Sequence, residues 1–166
     1  MAGNTATIRY NTVTGQGDCL ILTSGGDATS KVNIVDNALY GRLDYLANAG
    51  GNVGELACGH YHDSGTPAIS FSGNLFYNTK AGQCPAGSIC NQDPLFANAD
   101  MANFDGTPMA GSPLIDKVPV VAGVASDFLL QPRPAGAATD IGAIEVQSGG
   151  SGGGGTTPPP PTCVRG

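Results

Sequence analysis

Three segments of the chain repeat one arrangement of apolar and polar positions. Ala6-Thr7-Ile8-Arg9-Tyr10-Asn11-Thr12-Val13-Thr14-Gly15 aligns with Val32-Asn33-Ile34-Val35-Asp36-Asn37-Ala38-Leu39-Tyr40-Gly41. A third copy is Ile69-Ser70-Phe71-Ser72-Gly73-Asn74-Leu75-Phe76-Tyr77-Asn78. In each, an apolar residue lies three before the Asn and another two after it. Alternation before the Asn is strand-like, and the Gly or Asn at the end of each copy closes the element. The Asn residues are 26 and 37 positions apart, the first interval shorter than the roughly 30 residues of a β-α-β unit, and helix-forming segments between copies are few. This spacing suits one turn of a parallel β-solenoid, with an insertion in the second interval around Leu43–Gly65. Asp18-Cys19-Leu20-Ile21-Leu22-Thr23 supplies a further strand in the first turn. Asn11, Asn37 and Asn74 then stack at one bend, where their amides satisfy each other and nearby backbone groups.

Composition narrows the possibilities. The chain has 166 residues, of which 26 are Gly, 12 are Pro and only 12% are charged. Low charge with 40% hydrophobic residues argues against both disorder and long helices. Seven Lys and Arg against 13 Asp and Glu give −6, which disfavours nucleic acid as a partner. No apolar run approaches the roughly 20 residues of a membrane span. The five cysteines form no C-x-x-C pair or zinc module. Cys84 and Cys90 bracket a short Pro-Ala-Gly-Ser-Ile loop that suits a local disulfide, and Cys19 and Cys58 are placed to bridge neighbouring elements. Such usage fits an oxidising compartment, and hence a secreted or cell-surface protein. Met1–Thr5 has neither a basic nor an apolar signal region, so any export signal is expected upstream or already removed. Residues 1–147 read as the folded unit. Residues 148–166, Gly/Ser-rich and then four prolines before Cys163, read as a disordered linker.

Beyond the repeats, a series of marks runs from Asn74-Leu75-Phe76-Tyr77-Asn78 through Asp93-Pro94-Leu95-Phe96 and Gly111-Ser112-Pro113-Leu114-Ile115-Asp116. Arg133-Pro134 and Asp140-Ile141-Gly142-Ala143-Ile144-Glu145 complete it. With them the chain resembles the C-terminal part of secreted bacterial proteins of the pectate-lyase-like superfamily, which often end in a choice-of-anchor type closing region. The resemblance implies an all-β fold: a short right-handed single-stranded parallel β-helix of three to four coils, with a C-terminal capping segment over about 91–147. Pro94 and Pro113 would set Leu95-Phe96 and Leu114-Ile115 over the last coil. Asp116, Arg133, Asp140 and Glu145 would hold that flap down as ion pairs. The resemblance also implies a polysaccharide or glycan partner and a lyase or glycosidase ancestry, with Ca²⁺ as the family's cofactor. Its lyases use acidic clusters around calcium and a basic residue that removes a proton, and its glycosidases use carboxylate pairs. No such motif maps here, so an enzyme, a non-catalytic glycan-binding module and a structural or adhesin module all stay open.

Three local groups are the candidate sites. The repeat places Thr14, Tyr40 and Tyr77 in one column, about 4.8 Å apart, with Arg42 and Lys80 near in sequence. The two tyrosines would stack sugar rings while the cations meet hydroxyls or carboxylates. His60 and His62 alternate and so point the same way on a strand, as two metal ligands, with Asp63 or Glu55 as a third. Arg9, Lys31 and Arg42 are the basic residues offered as a lyase base, and Asp63 stands beside Lys31 and Arg42 as a catalytic candidate. Finally, the first repeat begins at about Ala6, which leaves its coil without a cover. A homodimer closing two such N-terminal coils is expected.

Overall fold

Alternating residues drive the strands, and each repeat delivers them to the same place one layer further on. The computed structural model describes residues 3–15, 19–43 and 54–147. The expectations for 148–166, including Cys163, lie outside the described residues. The first circuit runs through β1 (Thr5–Arg9), β2 (Thr12–Gly15) and β3 (Cys19–Thr23). The second runs through β4 (Lys31–Val35), β5 (Ala38–Gly41) and β6 (Cys58–His62). The third has β7 (Ala68–Ser72) and β8 (Leu75–Tyr77), and β9 (Ile89–Cys90) adds a further strand beside β8. Equivalent strands pair in parallel into a first sheet β1-β4-β7, a second β2-β5-β8-β9 and a third β3-β6. The protein is all-β.

The register is the one the repeats dictate. Ile8, Ile34 and Phe71 are aligned across the first sheet, and Val13, Leu39 and Phe76 across the second. These side chains meet Leu20, Ile21 and Ala57 in one apolar cluster. Full burial of Ile34, Leu39 and Phe76 stabilises by about 1.5–3 kcal/mol each. The insertion is narrower than expected. It falls between Gly41 and Cys58, because Cys58–His62 is a regular strand paired in register with Cys19–Thr23.

Between the first and second sheets the asparagines form the expected column. Asn11 Nδ2 donates to Asn37 Oδ1 at 2.9 Å, and Asn37 Nδ2 donates to Asn74 Oδ1 at 2.9 Å. Asn37 Nδ2 also reaches the carbonyls of Ile8 and Val35, both at 2.9 Å, and Asn74 Nδ2 that of Ile34 at 2.7 Å. The residue before each Asn makes the bend in left-handed backbone, with φ of 55° at Tyr10, 58° at Asp36 and 64° at Gly73. A Cβ on Gly73 would lie 2.3 Å from Asp36 Oδ1, so a larger residue there would have to displace that carboxylate.

The C-terminal segment departs from expectation. It comprises β10 (Phe96–Asn98), a 3-10 turn (Met101–Asn103), β11 (Asp105–Pro108) and irregular chain to 147. It is not confined to the last coil. Phe96, Leu114, Val118 and Ile141 pack on Ala38 and Leu75 and against Tyr10, Tyr40, Tyr77 and Ile89. Gly142 N donates to Asp36 O at 2.9 Å and Ala143 N to Thr12 Oγ1 at 3.0 Å. The segment therefore covers the second sheet across all three circuits. The physical reason lies in Ala38-Leu39-Tyr40 and Leu75-Phe76-Tyr77, apolar at consecutive positions and therefore on both faces.

The end of the third circuit is met instead by the Cys84–Cys90 loop. Cys84 packs against the interior cluster, Gly73 N donates to Gly87 O at 3.1 Å, and Ile89 N to Asn74 O at 2.7 Å. Both disulfides form, Cys84–Cys90 with Cα atoms 5.9 Å apart and Cys19–Cys58 with 4.2 Å.

Of the four charged residues expected to pair, only Arg133 and Glu145 do so, at 3.0 Å and with side chains 2% and 1% exposed. Asp116 Oδ1 accepts Ala138 N, and Asp140 accepts Asp116 N and Val146 N. Each saturates backbone donors that an irregular segment cannot pair with itself. β1, β2 and β3 are edge strands of their sheets, and among the described residues nothing pairs with their free sides.

Candidate functional site

The tyrosine column forms. Tyr40 pairs in register with Thr14 on one side and Tyr77 on the other, and the two rings lie 5.4 Å apart, tilted by 41°. Tyr40 is then engaged by Phe96 at 5.7 Å, which itself meets Phe104 at 5.5 Å. Tyr40 thus belongs to the packing beneath the C-terminal segment, and Tyr77, half-buried, packs against the same apolar cluster.

A cleft of about 740 Å³ is lined by Ile89, Gln92, Asp93, Leu95, Gly111, Ser112, Pro113 and Lys117. Ile89 is on β9, paired with Leu75 of the same strand as Tyr77. Burial raises the Tyr77 hydroxyl pKa, and the nearby Asp93 carboxylate raises it further. Asp93 is fixed by accepting Leu95 N at 2.9 Å. Ser112 is turned inward, donating to Pro94 O at 2.6 Å. Lys117 is exposed and has no ion pair among the described residues. The cleft therefore joins apolar walls of Ile89, Leu95 and Pro113 to the polar groups of Gln92, Asp93 and Lys117. That combination suits the faces and hydroxyls of a pyranose. Sequence reasoning missed Gln92, Asp93 and Lys117. The signal was that Asp93 and Lys117 flank the two proline marks, whose role was taken as packing alone.

The other candidates do not join this site. Arg42 is a correction: it is 3% exposed and donates through Nη1 to the carbonyl of Ala99, tying the second circuit to the covering segment. It is unavailable as a base or as a sugar ligand. Lys80 pairs with Glu55 at 3.2 Å, and Arg9 with Asp36 at 3.2 Å. Lys31 is exposed at the start of β4, between Thr5 and Ala68 in the first sheet. Asp63 Oδ2 accepts from Ser24 Oγ at 3.3 Å.

β6 does bring both histidines to one point. His60 Nε2 and His62 Nδ1 each lie 3.0 Å from Thr23 Oγ1 on β3. The His60 ring also stands edge-on to Phe71 at 5.1 Å. Burial, then the charge of His62, lowers the His60 pKa below its ordinary value. The expected third ligand does not join them, since Glu55 faces Lys80 and Asp63 faces Ser24. Among the described residues no three His, Cys, Asp or Glu side chains converge as a metal site. The acidic cluster that calcium would need is not assembled among them either.

No protein-family model and no curated protein matches this sequence.

Proposed function

We propose that this chain is a module of an exported, pectate-lyase-like right-handed parallel β-helix protein that binds polysaccharide without cleaving it. The observation that carries the reading is the cleft that sets Gln92, Asp93 and Lys117 around apolar walls, one of which, Ile89, is on the strand paired with that of Tyr77. Export is supported by the two disulfides. No helix among the described residues is long and apolar enough to cross a membrane. Binding is favoured over cleavage because Arg9 and Arg42 serve internal contacts and no carboxylate pair lines the cleft. Affinity electrophoresis against neutral and acidic polysaccharides tests the reading. Tyr77→Ala should weaken retardation about fivefold, the value of one aromatic contact, and Lys31→Ala should leave it unchanged. Retardation by none of the polysaccharides would overturn it.

A structural module is the second reading. Its specific support is that all three arginines of the described residues bind within the chain, to Asp36, Ala99 and Glu145. It predicts no glycan retardation but full resistance to proteolysis.

A further inference from the structure

The most exposed large apolar side chains are not at the cleft. Leu130 is 83% exposed and Phe128 73%, at the tip of a small hairpin closed by the Ser126–Pro132 bridge. Leu130 sits in left-handed backbone, φ 62°, an unusual position for a bulky residue.

The tip is built to hold this shape. Asp127, itself buried, accepts Leu129 N and Gln131 N through Oδ1, both at 2.8 Å, and Glu145 N through Oδ2 at 2.9 Å. Asp127 N donates to Gln131 O, Phe128 N to Ala143 O, and Leu130 N to Asp127 O. Every amide donor from Asp127 to Gln131 is therefore satisfied within the protein. The segment 118–132 carries one charged residue, Asp127, and Val120 adds a further exposed apolar side chain.

We propose that the Phe128–Leu130 tip enters the headgroup region of a zwitterionic lipid bilayer. A backbone can leave water only when its donors are paired, and here they are paired before any contact is made. A protein partner would ordinarily add a hydrogen bond for each 100–200 Å² or so of interface, whereas the five backbone amides from Asp127 to Gln131 already have their partners. Shallow insertion keeps the tip's carbonyls within reach of headgroup water. With a net charge of −6 and no cation in the segment, anionic lipid is disfavoured. The contact is reversible, weaker than the partition of about 10⁴ M⁻¹ given by one myristoyl chain.

Sedimentation with phosphatidylcholine vesicles at about 1 mM lipid, about tenfold above the concentration that half-saturates a single acyl anchor, tests this. The full chain should sediment measurably and independently of salt. The Phe128→Ser/Leu130→Asn variant should bind at least about tenfold less, since two large apolar groups are lost. Asn accepts left-handed backbone, so thermal unfolding of the variant should not shift downward. The proposal is overturned if wild type stays in the supernatant or if the variant sediments equally. It is also overturned if the tip proves to mediate self-association in velocity runs without vesicles.

Discussion

Replacing Asn37 by Ala probes the column on which the parallel winding rests. Asn37 is fully buried; its Oδ1 accepts from the amide and Nδ2 of Asn11, and its two Nδ2 hydrogens are shared among Ile8 O, Val35 O and Asn74 Oδ1. Each intact bond contributes about 1 kcal/mol net, and a buried group left without its partner costs about 1–3 kcal/mol. Some partners keep other bonds, so the loss is expected at about 3–5 kcal/mol, a large part of the roughly 5–15 kcal/mol available to a domain. Asn11→Ala removes only the two donations of an exposed side chain, to Arg9 O and Asn37 Oδ1, and should cost about 1 kcal/mol. Urea unfolding of both variants under oxidising conditions gives the comparison. Equal midpoints, or a cost below about 1 kcal/mol for Asn37→Ala, would refute the account of this bend.

Four further outcomes follow from the same contacts. Arg133→Ala strands the buried Glu145 carboxylate and should destabilise by about 3–5 kcal/mol, read by thermal unfolding. Reducing both disulfides should cost about 4 kcal/mol for Cys19–Cys58 and about 2 kcal/mol for Cys84–Cys90 by the chain-entropy model, because their separations are 39 and 6 residues; paired Cys→Ser variants measured separately check the order. His60 titrates lower in the folded than in the unfolded chain, so it binds fewer protons when folded. Its contribution is therefore intact above the ordinary 6.5 and lost as pH falls from there toward the folded value. His60→Gln should flatten that part of a stability-against-pH curve. Asp36 and Asp140, raised by burial, act in the opposite sense in the acid range. The free edges of β1, β2 and β3 predict concentration-dependent self-association in sedimentation velocity, and a monomer at all concentrations would count against it.

What was legible in the sequence is what repeats. The Asn column, the pairing of Ala6 with Val32 and the Thr14–Tyr40–Tyr77 register follow from one alignment, because parallel strands in successive circuits must match position for position. The C-terminal segment does not repeat, and its proline marks fixed where it turns without fixing what it covers. The apolar run Leu75-Phe76-Tyr77 held that information: a strand apolar at consecutive positions is buried on both faces. Arg42 was misread for a related reason. Its charge pointed to solvent, and only the position of Ala99 shows that it is buried. The cleft is less legible still, since Gln92, Asp93 and Lys117 meet only through the path of irregular chain.

The most direct test of glycan binding at the cleft is a nuclear magnetic resonance titration with an oligosaccharide from a retarding polysaccharide. The account predicts saturable amide shifts centred on Tyr77, Gln92, Asp93 and Lys117, lost in Tyr77→Ala, with the sugar recovered uncleaved. Shifts centred on Lys31 or on the His60–His62 pair, or shortened sugar in the recovered sample, would contradict it.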